Sequence, residues 1–214
     1  MWRIINDTIQ IFGGKAYFTD EPYERMMRDG RINMIGEGAN DVLRAFVALV
    51  GMRDVGLHLQ QVLTALKNPL KNFGRLSDFV GQRVESLFRA PEVSVTHAEL
   101  EPDASRFSRL VAKFSSAVER LLRTHREAIV DREYQLGRIG EAVIELYVSA
   151  CVLRRLDAET HGNGDHDGAA ERRHDLIVGR YYLKTAARRI ESQLAALWDN
   201  DDDATTETAD LLLP

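Results

Sequence analysis

Arg28-Asp29-Gly30-Arg31-Ile32-Asn33-Met34-Ile35-Gly36-Glu37-Gly38-Ala39-Asn40-Asp41-Val42-Leu43-Arg44 is the stretch around which the chain is read. It sets one carboxylate, Glu37, in an apolar segment that reads as extended, between two glycines. A helix follows at once, with Asn40 or Asp41 placed to cap it ahead of Val42, Leu43, Phe46 and Val47. The helix dipole favours a negative charge at that point. The flanking glycines let another backbone or a bound molecule come close. A capping box carries its acid three residues after the cap, so capping does not account for Glu37.

Working outward, Gln10-Ile11-Phe12-Gly13-Gly14 and then Glu21-Pro22-Tyr23-Glu24-Arg25 precede this stretch. Together the three motifs resemble, in order and spacing, the active-site segment of the acyl-CoA dehydrogenases. That signature runs Arg-Asp, a short apolar piece, aromatic-Glu-Gly-Thr, and a helix whose first turn ends in Leu-Arg. Several motifs in register are a far more specific signal than a lone Glu-Gly. The second half is similar to the appended C-terminal domain of the very-long-chain members, through Leu66-Lys67-Asn68-Pro69, His97-Ala98-Glu99-Leu100 and Ile144-Glu145-Leu146-Tyr147.

The expected fold is all-α: part of the family's C-terminal helical domain over 1–54, then an appended antiparallel helical bundle over 55–198. Residues 2–12 place Ile5, Ile9 and Phe12 on one helical face, and Gly13-Gly14 ends that helix. Asp20, Glu21 and Pro22 suit the first turn of a second helix. A third, about 41–51, is apolar almost all round and reads as buried on more than one side. A separate helix is expected near 55–66.

Three long helices follow. One carries Phe107, Leu110, Val111, Phe114, Val118, Leu121 and Leu122; one near 132–156 carries Leu136, Ile139, Val143, Leu146, Ala150 and Leu153. The last, near 169–198, carries Leu176, Leu183, Ala187, Ile190, Leu194 and Leu197. Residues 199–214 are acidic and poor in aromatics, and read as a disordered tail.

Composition bounds the function. The 214 residues carry a net charge of −5, which gives no general footprint for nucleic acid. The single cysteine, Cys151, excludes an internal disulfide framework, fits a reducing compartment, and reads as a small buried hydrophobe. No apolar run is long enough to span a bilayer. The N-terminus shows no signal or transit-peptide pattern, so the expected location is cytoplasmic, or the mitochondrial matrix in a eukaryote. The loop His161–Gly168 contains metal-competent side chains without a ligand spacing, and reads as a solvated connection rather than a metal site.

The resemblance implies α,β-dehydrogenation of a fatty acyl-CoA thioester, in fatty acid β-oxidation, with FAD taking the hydride and an electron-transfer flavoprotein or similar acceptor downstream. Glu37 matches the base that removes the α-proton, and Gly38 a residue touching substrate. Gln10, Ile11, Phe12, Gly13 and Gly14 match a segment that contacts the FAD of a neighbouring subunit, which makes a dimer the smallest assembly. Ala39, Asn40 and Asp41 match a further flavin contact. Desolvation by a bound acyl chain would make such a carboxylate a stronger base. Gly36 stands in place of the family's aromatic and Ala39 in place of its threonine.

The family's N-terminal helical and β-domains have no counterpart here. The chain alone is therefore expected to leave apolar faces bare, at a cost of about 1.5 to 3 kcal/mol for each large side chain, and not to turn over. Residues 66–89 alternate Leu70, Phe73, Leu76, Val80, Val84, Leu87 and Phe88 with Lys71, Arg75, Arg83 and Arg89. That pattern suits either an ordinary packed helix or peripheral contact with a membrane. A reading of different class also stands: a non-catalytic helical module for dimerisation, membrane docking or assembly.

Overall fold

The computed structural model describes residues 1–66, 91–159 and 168–212. The amphipathic segment 66–89, beyond its first residue, and the loop 161–167 lie outside the described residues. Among the described residues the regular structure is helical, as expected. The chain forms two compact units, Met1–Phe46 and Val47–Pro214.

In the first unit, α1 (Trp2–Phe12) stops at Gly13, whose φ of 62° is the left-handed value that a glycine adopts without strain. A short 3-10 turn (Gly13–Tyr17) leads to α2 (Tyr23–Ile32). The two helices close on Gly30, where a Cβ would stand 2.9 Å from Ile5 Cδ1. The rings of Phe12 and Tyr23 meet with centroids 4.6 Å apart.

α3 runs unbroken from Asn40 to Leu66, where two helices were expected. Gly51 and Gly56 lie within it, and a helical glycine costs only about 1 kcal/mol, too little to break a run of good helix formers. Ala48 and Met52 are buried, but Val42, Phe46 and Val50 are exposed by more than half. The expectation of burial on several sides therefore fails among the described residues, and apolar faces of α3 stand bare. Ile4 and Ile11 on α1 are likewise open to solvent.

The second unit is built on α4 (Glu101–His125), α5 (Glu133–Glu159) and α6 (Gly168–Ala196). The apolar stripes read from the sequence all face inward, buried or half-buried. They form two contiguous core clusters. One joins Leu100, Ala104, Leu153, Leu156 and Leu183; the other joins Leu110, Leu146, Ala187 and Ile190. Cross-helix pairs fix the directions. Asp103–Arg180 and Lys113–Glu191 run α4 parallel to α6, while Arg155–Asp175 and Glu145–Arg189 run α5 antiparallel to α6.

α5 and α6 approach closely because Gly179 has no side chain. A Cβ there would fall 2.8 Å from Leu156 Cδ1. Further along the seam, Glu145 accepts two hydrogen bonds from Arg189, at 2.6 and 2.9 Å, and one from the Tyr182 hydroxyl at 2.9 Å. Ahead of α4, the Thr96 and His97 amides donate to Asp157 at 2.8 and 3.2 Å, while Val93 and Val95 pack on the first cluster.

Two further expectations are corrected. The tail is not disordered over 199–212: Asp202–Leu212 forms α7. Its start is fixed by the Asp202 carboxylate, which Arg138 on α5 clamps with both guanidinium nitrogens, and by the Asn200 side chain, which accepts the Asp202 N–H at 3.1 Å. Asp202 and Asp203 also suit the positive end of the helix dipole. Cys151 is exposed, not buried, because it falls on the outer face of α5.

Gly179→Ala is expected to lower stability by about 1 to 2 kcal/mol through overpacking against Leu156, read as a lower urea midpoint at unchanged slope. Burial, then the hydrogen bond to Glu145, pushes the Tyr182 hydroxyl up to about 12. The folded state thus holds that proton more tightly than the unfolded chain, whose tyrosine titrates near about 10. The resulting stability is complete below about pH 10 and is lost as pH rises towards about 12. Urea midpoints at pH 9 and 11.5 should fall less for Tyr182→Phe than for the parent chain.

Candidate active site

Glu37 sits in the connection between α2 and α3, and the connection is a tight turn, not the extended segment expected. α2 tightens at its end, with the Ile35 and Gly36 amides both donating to the Ile32 carbonyl, at 3.0 and 2.8 Å. The chain then reverses through two left-handed residues, Glu37 with φ 58° and Gly38 with φ 112°. The Asn40 N–H closes the loop on the Met34 carbonyl at 3.0 Å. Gly38 tolerates its φ as a glycine; any Cβ there would also press to 3.3 Å on Leu43 Cδ2.

A non-glycine residue in this conformation carries strain of about 1 to 2 kcal/mol, and such strain gathers at functional positions. In this turn the Glu37 side chain is exposed to solvent. Among the described residues it makes no ion pair. The helix that follows begins at Asn40, with the Ala39 carbonyl accepting the Leu43 N–H at 3.0 Å. Asn40 and Asp41 therefore lie within the first turn instead of capping it by side chain. Asp41 accepts from Arg44 Nη1 at 2.7 Å.

Gln10, Ile11, Phe12, Gly13 and Gly14 form a second exposed patch at the C-terminal end of α1. Nothing lies within 4 Å of the position a Cβ would take on Gly13 or Gly14, so their backbone is open to a close-packed ligand. Among the described residues no hydrogen bond joins this patch to the Glu37 turn. The sequence signal missed the roles of Leu43 and the Met34 carbonyl in holding the turn. Leu43 was legible only as a helix residue, and a backbone acceptor leaves no mark in the residue type. Among the described residues no group of three His, Cys, Asp or Glu side chains is arranged to hold a metal, and no helix is long and apolar enough to cross a membrane.

Relief of the strain gives a direct check. Glu37→Gly should stabilise the chain by about 1 kcal/mol, whereas Glu37→Gln leaves stability unchanged, in parallel urea titrations. A loss of stability in Glu37→Gly would place the residue outside the left-handed region.

Two family descriptions match this chain: "Acyl-CoA dehydrogenase, C-terminal domain" over residues 1–51, and "ACAD9/ACADV, C-terminal domain" over residues 98–210. The very long-chain specific acyl-CoA dehydrogenase of mitochondria from Rattus norvegicus is 32% identical over 206 residues, which is 93% of this chain. The human protein of the same name is 33% identical over 200 residues, or 92% of this chain. The chain spans 30% of the length of each. A crystal structure of an acyl-CoA dehydrogenase complexed with FAD from Bacillus anthracis superposes with a TM-score of 0.65 at 18% identity, over 95% of this chain and 32% of that one, which shows a shared fold. With its first helices matching one C-terminal domain and its bundle the other, the chain belongs to the acyl-CoA dehydrogenase family, as a C-terminal portion resembling the very-long-chain members.

Proposed function

We propose that this chain forms the C-terminal portion of an FAD-dependent acyl-CoA dehydrogenase acting on long-chain fatty acyl-CoA in fatty acid β-oxidation. The observation that carries the proposal is Glu37: a solvent-facing carboxylate on a strained turn between two glycines, in no ion pair among the described residues. The α-proton of a thioester is weakly acidic, so its removal needs a positioned base and donors that hold the charge growing on the thioester oxygen. In this reading Glu37 takes the proton and the backbone N–H groups of its turn are at hand for the oxygen. Gly38, with no Cβ, leaves room for the substrate.

The exposed Gln10 amide and the unobstructed backbone of Gly13 and Gly14 fit a flavin nucleotide, which takes neutral hydrogen-bond donors and close backbone approach. Ala39, Asn40 and Asp41 would add contacts from the start of α3. FAD, when bound, supplies the hydride acceptor. The partners in this reading are fatty acyl-CoA, a second subunit and an electron-transfer flavoprotein or similar acceptor. The location is the cytoplasm, or the matrix in a eukaryote, with peripheral membrane contact through 66–89.

The alternative is a non-catalytic helical module for dimerisation, membrane docking or assembly. It draws on the second unit, whose three long helices build their own core.

The bare faces of α1 and α3 support inactivity of the isolated chain, so it should not bleach FAD with palmitoyl-CoA. The base is tested by grafting residues 1–214 onto the human very long-chain relative in place of its matching portion. The graft should bleach FAD on adding palmitoyl-CoA, and Glu37→Gln should slow the bleaching by about 100-fold to 10,000-fold. Equal rates with glutamine at that position would favour the non-catalytic module.

A further inference from the structure

α7 carries little stability of its own. It has 11 residues, a length at which isolated helices are marginal in water. Three of them are threonine and three aspartate, both weak helix formers. The Thr205, Thr206 and Thr208 hydroxyls donate to the carbonyls of Asp201, Asp202 and Ala204 at 2.8, 3.0 and 2.7 Å, a back-bonding that slightly destabilises a helix. Asp203 and Glu207 repel at helical spacing, and Asp210 meets the negative end of the dipole. No Lys or Arg follows Arg189, so α7 has no basic side chain to pair with these acids. Among the described residues packing does not make up the difference, since Asp202 is buried but residues 203–212 are all exposed.

What holds the segment lies at its start. Leu197 is buried just past α6, and the Arg120 guanidinium stands 3.9 Å from the centre of the Trp198 ring. Asn200 joins the two helices: its amide donates to the Ala196 carbonyl at 2.9 Å, and its oxygen accepts the Asp202 N–H at 3.1 Å. Asp202 then accepts from both terminal nitrogens of Arg138, in a pair whose side chains are only 12% and 19% exposed. A sheltered, two-point pair of this kind is much stronger than an ion pair on the open surface.

We propose that α7 is a latched helix, ordered only while Arg138 holds Asp202, and that it opens as a unit while the three-helix core stays intact. Opening also changes the charge at this end of the bundle. Arg120 lies in the last turns of α4 and Arg138 in the first turns of α5, and the single segment Trp198–Asp202 meets both. Closed, the segment neutralises Arg138 and shields Arg120. Open, it releases both guanidiniums from those contacts. Folding of the C-terminal helix is thereby coupled to the display of a basic pair. Nothing in the latch depends on Glu37 or on flavin.

Hydrogen exchange on the full 214-residue chain, read by mass spectrometry, tests the latch. Amides of residues 203–212 should be protected, though less than those in the core of α5 and α6. Arg138→Gln leaves the sequence of α7 untouched and should cut that protection about tenfold or more, with the core of α6 unchanged. Asp202→Asn should match it, and the two together should lose no more than either alone. Arg138→Lys keeps the charge without the fork and should recover only part of the protection. If Arg138→Gln loosens the bundle itself, Asp202→Asn, which alters only the segment, decides. The latch is overturned by protection of 203–212 that survives Asp202→Asn, by its absence in the parent chain, or by a loss that spreads equally through α5 and α6 in both variants.

Discussion

The bundle depends on how closely α5 and α6 can approach. One missing methyl group, at Gly179, lets Leu156 settle against the facing backbone. The contact sets the register of two long helices, and the rest of the seam follows. Glu145 is brought level with both Tyr182 and Arg189, so a half-buried carboxylate is met by two guanidinium N–H groups and a hydroxyl. Such a group would be costly in isolation; with its acceptors filled it discriminates against a slipped pairing. The two core clusters are then closed by α4, which adds Ala104 and Leu110 at matched heights.

The first unit has a different balance. Its helices close through one glycine, Gly30, and one aromatic pair, and leave large apolar side chains in water. Against this modest packing it still keeps a left-handed glutamate. A fold with little stability to spare rarely retains strain without use, which is why the turn at Glu37 draws attention apart from any family likeness.

The periodic parts of the fold were legible because burial imposes period: the stripes on α4, α5 and α6 could be read directly, and so could the stop at Gly13. The missed features all rest on partners that a local window cannot see. The tail looked unfoldable on composition, yet α7 is seeded by Arg138, 64 residues before Asp202. Cys151 sits in an apolar run, but the run wraps onto an outer face. α3 was split in two because the boundary between the family's helical domain and the appended bundle was set between 54 and 55, whereas the helix runs through it. At the site, Glu37 and its glycines were visible, while the left-handed geometry was not, since backbone acceptors such as Met34 carry no signature of residue type.

Asp157 lies in the last turns of α5, where the helix dipole repels a carboxylate. The amides of Thr96 and His97 offset that repulsion from 61 and 60 residues away in sequence. The two halves of this contact emerge at different times during synthesis. The earlier half must wait through two helices before its acceptor arrives, so the contact has a high loop-closure cost and belongs to the late stages of folding. The end of α5 should accordingly be the slowest part of the bundle to gain protection from hydrogen exchange.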